Sequence, residues 1–240
     1  MQFNRKIEKE NVMSKLCSVA IDGPSGAGKS TLARAAAKRF GYIYVDTGAI
    51  YRTVGLACRR SGADIGEKEQ VLALLPGLQI NLGYDDAGLQ RMYLNGEDVS
   101  GEIRENEISH YASAVSAHPA VRAHLSELQK KLAREQNVIM DGRDIGTVIL
   151  PDAQLKIFLS ASPEARAARR AAELRAKGQD VTDEQILLEM RQRDEADRTR
   201  AVAPAIPAKD AVMMDNSNMT IAENVAVILA LLRERHLIDG

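Results

Sequence analysis

The amino-acid sequence predicts an α/β fold in which a five-stranded parallel sheet is flanked by helices on both faces. Three observations carry this prediction. Short apolar runs alternate with helical patterns along most of the chain, two stretches interrupt the alternation, and a glycine-rich loop joins the first apolar run to the first helix. Parallel strands require crossover connections, usually helices, so a buried parallel sheet produces this alternation.

Each predicted strand is a short apolar run that precedes a polar turn. The runs lie at 16–22, 42–46, 137–141, 155–160 and 211–215. The first is followed by a helical pattern from Ser30 to Phe40 that Gly41 closes, and the second by a helix that begins at Thr47 and ends near Gly62. In such a sheet, ligands bind at the carboxyl ends of the strands, where these connections begin.

Two regions interrupt the alternation, and we interpret them as insertions into one domain. The first, at about 76–136, contains a hairpin pattern and then two helical stretches that bracket His118-Pro119. The second, at about 163–200, consists of two arginine-rich helices separated by a short polar linker. The domain would span 16–240, with its core at about 16–75, 137–162 and 201–240, after a loose extension at 1–15.

The composition excludes several classes of function. The chain has 240 residues, of which 45% are hydrophobic and 27% charged, as in an ordinary soluble globule, and its net charge of −1 argues against a protein that coats nucleic acid. The N-terminus lacks the apolar segment of a signal peptide, and no apolar run reaches the roughly twenty residues of a membrane span. Cys17 and Cys58 lack C-x-x-C spacing, so buried, reduced thiols are expected. We expect a cytoplasmic monomer with no nucleic-acid or membrane partner.

The most informative motif lies between the first strand and the first helix. Residues 23–30 fit G-x-x-x-x-G-K-[ST], the spacing with which a phosphate loop (P-loop) wraps phosphate oxygens. Its glycines let backbone N–H groups turn inward, Lys29 adds a charge for the outer phosphates, and Ser30 offers a hydroxyl to Mg²⁺. A chance glycine-rich turn is disfavoured by the flanking strand and helix. The predicted nucleoside triphosphate site comprises Gly23, Pro24, Ser25, Gly26, Ala27, Gly28, Lys29, Ser30 and Thr31.

Arginines recur at helical spacing in the second insertion. One helix face carries Arg166, Arg169 and Arg170, and a stripe on the next helix carries Arg193, Asp197 and Arg200. Spacing alone favours a solvated, salt-bridged surface, with pairs such as Arg191 with Glu195 or Asp194 with Arg198. The phosphate loop reverses that preference, because a site that gathers two polyphosphates needs several planar donors that can fork onto oxygens.

Asp22 and Asp141 each stand at the end of a predicted strand. Asp141 ends the third strand, from which it can reach Mg²⁺ through water, as the second acidic element of P-loop enzymes does. Arg143 and Asp144 follow in the same turn, for which the alternative interpretation is a capped turn with a local ion pair. Asp22 precedes the phosphate loop, and we expect it to hold the loop backbone.

The chain resembles the bacterial cytidylate kinase family across roughly residues 17–235. The matching segments are, in order, IDGPSGAGKST, DTGAIYR, YLNGEDVSGEIR, DGRDIGT, FLSASPEARAARR and RDEADRTRAVAP. Together they are specific, whereas the phosphate loop alone would place the chain only among NTP-binding proteins. The resemblance implies a P-loop kinase core with a monophosphate-binding insertion at about 76–136 and a helical lid at about 163–200. It also implies phosphoryl transfer from ATP to CMP or dCMP.

The resemblance further implies roles for the matched residues. Lys29 and Ser30 would hold ATP and Mg²⁺, with Asp141 reaching the metal through water. The implied catalytic residues are Lys29, Arg143, Arg166 and Arg170, the last two swinging in from the lid. The CMP phosphate would contact Arg52 and Arg143, beside Tyr51. Cytosine would be read by Ser113, Arg122, Asp144 and Arg200, and the sugar would meet Arg193 and Asp197. Thr47 stands where many members carry Ser, and it keeps the hydroxyl.

Three alternative functions are also compatible with a phosphate loop. The nearest is a P-loop kinase for another small acceptor, such as another nucleotide or shikimate. A nucleotide-dependent binding module is disfavoured because the sequence lacks the N-K-x-D motif that reads guanine. An ATP-driven assembly subunit is disfavoured because the sequence lacks a transporter- or motor-like signature.

The predicted phosphoryl transfer does not need a side chain that acts as a base, since a monophosphate with a second pKa of about 6 already offers a dianionic oxygen.

Overall fold

The structure is a computed structural model, and it describes residues 16–176 and 178–238. The extension expected at 1–15 lies outside the described residues. In chain order the strands are β1 (Ser18–Asp22), β2 (Ile43–Asp46), β3 (Ile80–Tyr84), β4 (Gln90–Leu94), β5 (Glu97–Asp98), β6 (Val138–Gly142), β7 (Leu155–Ser160) and β8 (Val212–Asp215). The helices are α1 (Lys29–Phe40), α2 (Thr47–Ser61), α3 (Lys68–Leu74), α4 (Asn106–Ser116), α5 (Pro119–Glu135), α6 (Pro163–Ala176), α7 (Asp183–Thr199) and α8 (Ile221–Glu234).

A five-stranded sheet in the order β2-β6-β1-β7-β8 forms the centre of the fold. Every neighbouring pair is parallel, which confirms the predicted fold class. Alternate residues of β1 enter different apolar clusters: Val19 and Ile21 pack with α1 and α8, and Ala20 packs with α2, α4 and α5. The strands are apolar because helices cover both faces of the sheet.

The first region that interrupts the alternation contains the predicted hairpin and both predicted helices. Strands β3 and β4 pair antiparallel, and β5 adds a short third strand. Gln90 ties this small sheet to the end of β2, because its Oε1 accepts from the N–H of Asp46 over 2.7 Å and its Nε2 donates to the Asp46 carbonyl over 3.2 Å. Helix α3 was not predicted, although its buried Val71 and the following Leu75 are spaced for one helix face.

The second such region contains two helices, α6 and α7, as predicted, and they pack against each other. It has an apolar cluster of its own, formed by Ala167, Ala171, Leu174, Ile186 and Met190. Helix α7 begins with a capping box, in which Thr182 and Gln185 exchange hydrogen bonds between side chain and backbone. Across the described residues, none of the helices combines the length and the apolar character that a membrane crossing requires.

Candidate active site

The phosphate loop joins β1 to α1 at the carboxyl edge of the sheet. Gly28 precedes α1 with a left-handed φ of 85°, and no described side chain caps the first turn, so its N–H groups stay available to an anion. Gly23 has a φ of +147°, and a Cβ there would lie 2.0 Å from the carbonyl oxygen of Leu159. Asn216, just after β8, supports the loop by donating from Nδ2 to the Ala27 carbonyl over 2.8 Å.

The loop lysine and serine lie beside the end of β6. Ser30 Oγ donates to Asp141 Oδ2 over 2.9 Å, and Tyr44 OH donates to Asp141 Oδ1 over 2.8 Å. Lys29 Nζ donates to the Pro24 carbonyl over 2.7 Å. Burial raises the pKa of Asp141 and lowers the pKa of Lys29, so burial disfavours the charged form of each side chain. An anion beside the lysine and a cation beside the aspartate would favour the charged forms.

The residues expected at the acceptor site surround one pocket next to the loop. The pocket contains about 790 Å³ of empty space, part of it open to solvent. Its lining includes Thr47, Tyr51, Arg52, Ser113, Arg122, Arg143, Asp144, Arg193, Asp197 and Arg200. Lys29, Ser30 and Asp141 line the same pocket, so the phosphate loop and the predicted acceptor site are contiguous.

Part of the pocket wall is strongly cationic. Arg143 Nε donates to Asp197 Oδ2 over 2.8 Å. Arg52 Nη1 and Arg193 Nε are buried without a hydrogen-bond partner among the described residues. Burial lowers the pKa of Arg193 to about 10, with Arg143 adding to the shift, and burial also lowers the pKa of Arg52. Crowded positive charge with unsatisfied donors is the environment that an anionic ligand would stabilise.

A second polar group surrounds Asp144. Arg122 Nη2 donates to Asp144 Oδ2, and Arg200 Nη2 lies 3.5 Å from Asp144 Oδ1. The guanidinium of Arg122 also lies over the Tyr51 ring, with Cζ 5.3 Å from the ring centre. The carboxylate is therefore held in place by two arginines inside the pocket, and it can accept a further donor from a bound ligand.

Arg166 and Arg170, which the resemblance assigns to a lid, occupy different surroundings, and neither belongs to the pocket lining. Arg166 is only 5% exposed and contacts the phosphate loop, since its Nη1 donates to the Ser25 carbonyl over 2.8 Å. Arg170, one helical turn later, forms an ion pair with Glu173 at 3.1 Å. Arg169, the third member of the predicted face, donates to the Asn216 carbonyl over 3.1 Å. The three arginines of that face thus have three different sets of contacts.

The expectation that Asp22 holds the loop backbone is wrong. Its Oδ1 accepts from the N–H of Ile145 over 2.8 Å, and its Oδ2 accepts from the N–H of Gly146 over 2.7 Å. The reason is the strand order: β1 lies beside β6, so a carboxylate at the end of β1 meets the turn that follows β6. Burial raises the pKa of Asp22 to about 6.

The surface ion pairs considered for α7 do not form as suggested. Arg191 pairs with Glu164 at 3.1 Å, and Arg198 pairs with Glu195 at 2.8 Å. Asp194 points to the phosphate loop, where Arg166 Nη1 donates to its Oδ2 over 2.6 Å. Helical spacing permitted the suggested ion pairs. The packing of α7 against α6 and the phosphate loop instead brings Arg191 to Glu164 and Asp194 to Arg166.

Sequence reasoning also missed Asp46 and Arg104. Asp46 is buried at the end of β2, where it accepts from the N–H of Ala49 and from Arg104 Nη1, each over 2.8 Å. Arg52 Nη1 lies 3.8 Å from the same carboxylate. The position of Asp46 matches that of Asp141, an aspartate that ends a buried strand, and this signal could have identified it.

The sequence comparisons point to one family. A family model described as cytidylate kinase matches residues 19–234. The cytidylate kinase of Pelotomaculum thermopropionicum is 47% identical over 218 residues, covering 91% of this chain and 96% of that protein. That of Caldicellulosiruptor saccharolyticus is 48% identical over 217 residues, covering 90% and 96%. Among solved structures, a shikimate kinase from Bacteroides thetaiotaomicron has a TM-score of 0.47 and 16% identity, covering 90% of this chain and 98% of that chain.

Proposed function

Because the chain belongs to the cytidylate kinase family, we propose that the phosphate loop and the adjoining pocket transfer the γ-phosphoryl group of ATP to CMP or dCMP. The enzyme is a nucleoside monophosphate kinase, a phosphotransferase that phosphorylates CMP and dCMP to CDP and dCDP. Its substrates are small molecules. Membership of this family favours a cytidine monophosphate as the acceptor over shikimate, the alternative considered above.

One observation carries the assignment of residues: two regions suited to anions share a single pocket. On one side are the uncapped first turn of α1 and Lys29, and on the other are arginines whose buried donors lack described partners. A triphosphate in the loop and a monophosphate against Arg52 and Arg143 would then face each other. Such placement supplies most of the catalysis in phosphoryl transfer, since the reaction needs alignment more than covalent help.

In the proposed reaction, a phosphate oxygen of CMP attacks the γ-phosphorus of ATP in line with the leaving oxygen. The bond from the γ-phosphorus to the β–γ bridging oxygen breaks, and ADP leaves with that electron pair. Lys29 and Arg143 neutralise the negative charge of the transferred group, and Arg166 and Arg170 add to this from the lid. No protein base is required, because the CMP phosphate is largely dianionic at neutral pH.

We also propose that Mg²⁺ binds beside Ser30 and Asp141. The residues present fit this ion, because a hydroxyl and a carboxylate lie 2.9 Å apart next to the expected phosphates, and Mg²⁺ prefers oxygen ligands and is usually shared with phosphates and water. Ser30 would contact the ion and Asp141 would reach it through water. The bound ion would neutralise charge on the phosphates.

The group around Asp144 is proposed to select the base. Cytosine presents an amino donor at N4 where uracil presents O4, so an acceptor such as the Asp144 carboxylate favours cytosine. Arg122, Arg200 and Ser113 would complete the contacts to the base. Arg193 and Asp197 would meet the sugar, with Thr47 and Tyr51 beside the acceptor phosphate.

We assign the segments accordingly, with a monophosphate-binding insertion at about 76–136 and a lid at about 163–200. Water could also accept the phosphoryl group, so a lid that completes the site only around bound CMP would suppress ATP hydrolysis. We further propose that the enzyme acts as a cytoplasmic monomer, because the residues assigned to both substrates come from one chain and both substrates are common metabolites of the cytoplasm.

The test is a panel of acceptors offered with ATP and Mg²⁺, with ADP release as the measurement. We expect strong activity with CMP and dCMP, weak activity with UMP, negligible activity with AMP and shikimate, and slow hydrolysis without an acceptor. Equal rates with CMP and UMP would contradict the proposed base selection. Preferential use of AMP or shikimate would contradict the proposed acceptor.

A further inference from the structure

A carboxylate from the lid occupies part of the phosphate loop. Asp194, on α7, accepts from the backbone N–H of Ser25 through Oδ1 over 3.0 Å. Its Oδ2 accepts from Arg166 Nη1 over 2.6 Å, and the same Nη1 donates to the Ser25 carbonyl over 2.8 Å. One aspartate therefore joins the loop backbone to a lid arginine.

The partner of Asp194 on the loop is a group suited to an anion. Backbone N–H groups of a phosphate loop bind the oxygens of the nucleotide, and Ser25 lies inside that loop. A carboxylate on this N–H resembles a phosphate oxygen in charge and in hydrogen bonding. Both cannot occupy the same N–H, and two anions close together repel each other.

The lid packs closely on the loop at the same place. A Cβ on Gly26 would lie 2.6 Å from Met190 Cε of α7 and 3.3 Å from Arg166 Cβ of α6. Arg166 is almost fully buried there, and its Nε donates to the Ala161 carbonyl over 3.1 Å. Asp194 is thus held against the loop by packing from both lid helices as well as by its two hydrogen bonds.

We propose that Asp194 is a positioning residue that holds Arg166 on the phosphate loop and is displaced from the Ser25 N–H when the phosphates of ATP bind. This inference rests on the proposed function, because it assumes that the loop binds ATP. The displaced carboxylate releases Arg166, whose guanidinium then has the phosphates as its nearest anions. Binding of ATP is thereby coupled to a shift of the lid, and part of the binding free energy of ATP is used to separate Asp194 from the loop.

The experiment measures ATP binding to the full chain by calorimetry, without acceptor. Asp194→Asn removes the negative charge, and we expect the Kd for ATP to fall about fivefold or more, in line with the strength of a charged hydrogen bond. Asp194→Ala, a second variant, should also bind ATP more tightly than the wild type. Glu195→Gln is the matched control, since it removes one charge from the neighbouring, exposed position of the same helix, and it should leave the Kd unchanged.

A second measurement is ATP hydrolysis without CMP. The rate of hydrolysis should rise in Asp194→Asn, because Arg166 is no longer retained by a carboxylate. It should stay unchanged in Glu195→Gln. If Asp194 only supported the structure of the loop, its replacement would lower the rate. Weaker or unchanged ATP binding in both Asp194 variants would overturn the inference and make Asp194 a support of the loop. Absence of ATP binding by the wild type would instead contradict the proposed function.

Discussion

Ser30 and Asp141 lie 111 positions apart in the chain, and the hydroxyl of the first donates to the carboxylate of the second over 2.9 Å. The contact exists because β1 and β6 are neighbours, with Ile21 opposite Asp141 in the register of the sheet. The loop that follows β1 therefore begins beside the end of β6. The proposed Mg²⁺ site depends on this pairing of strands.

Replacing Ser30 by Ala should raise the Mg²⁺ concentration needed for half-maximal activity by about tenfold and lower kcat. The variant removes one oxygen ligand of the proposed ion while leaving Asp141 in place. The measurement is a titration of activity with Mg²⁺ at saturating ATP and CMP. Identical titration curves for wild type and variant would remove Ser30 from the proposed metal site.

Replacing Lys29 by Ala should lower kcat by about 10² or more, because the variant loses the charge that is proposed to face the transferred group. Lys38→Ala provides a matched control, since Lys38 lies exposed on the same helix. Thermal unfolding of both variants checks that the fold is intact. An unchanged rate in Lys29→Ala would contradict the assignment of the loop to ATP.

Replacing Arg166 or Arg170 by Met should lower kcat more than it weakens CMP binding. If these arginines act from a lid as proposed, their contacts with the transferred group form chiefly when the lid is closed, so they affect the transition state more than the ground state. Arg191→Met is the control, because Arg191 is an exposed arginine paired with Glu164. Poor CMP binding combined with normal turnover at saturation would move these arginines to the acceptor site.

Replacing Asp144 by Ala should narrow the difference in kcat/KM between CMP and UMP by harming CMP most. If Asp144 reads the base as proposed, the wild type would set O4 of uracil against a carboxylate, a mismatch that costs roughly 1–3 kcal/mol for each unpaired neutral group and more where a charge is involved. Kinetics with CMP, dCMP, UMP and AMP measure the effect. A proportional loss with CMP and UMP would show that Asp144 supports the pocket without selecting the base.

Replacing Asp46 by Ala should destabilise the protein by about 2–4 kcal/mol, because α2 loses its cap and Arg52 and Arg104 lose their carboxylate. Burial alone would raise the pKa of Asp46, but the two arginines and the Ala49 N–H hold it below its ordinary value of 3.8. A lowered pKa means that the folded state binds the proton less tightly than the unfolded state. This stabilisation is therefore complete above pH 3.8 and is lost as the pH falls below that value.

The measurement is denaturant unfolding of the wild type and Asp46→Ala between pH 3 and pH 7. The difference in unfolding free energy should shrink toward the acidic end. Asp152→Ala, at an exposed aspartate, controls for the loss of a charge as such. A difference that stays constant across the pH range would mean that the Asp46 carboxylate does not contribute through its charge.

Local patterns predicted the elements that surround the site. The runs around β1 and β6 are apolar because both faces of the sheet are covered, and this is visible without knowing which strands are neighbours. The spacing of Gly23, Gly28 and Lys29 predicted the loop, because the geometry of such a loop is set by residues that adjoin in the chain. The resemblance also named side chains that the structure brings around one pocket, such as Arg52, Arg143 and Asp144, although Arg166 and Arg170 do not line it.

The contacts between distant residues could not be predicted in this way. The sequence alone determined a phosphate loop, the alternating strands and helices, and the residue types of an anion pocket. Only the tertiary structure decided that Asp22 binds the turn after β6, that Asp46 joins Arg104 to Arg52, and that Asp194 lies on the loop. The physical reason is that periodicity and spacing describe neighbours along one element, whereas these partners come from different elements. The strand order β2-β6-β1-β7-β8 and the packing of α6 and α7 bring them together.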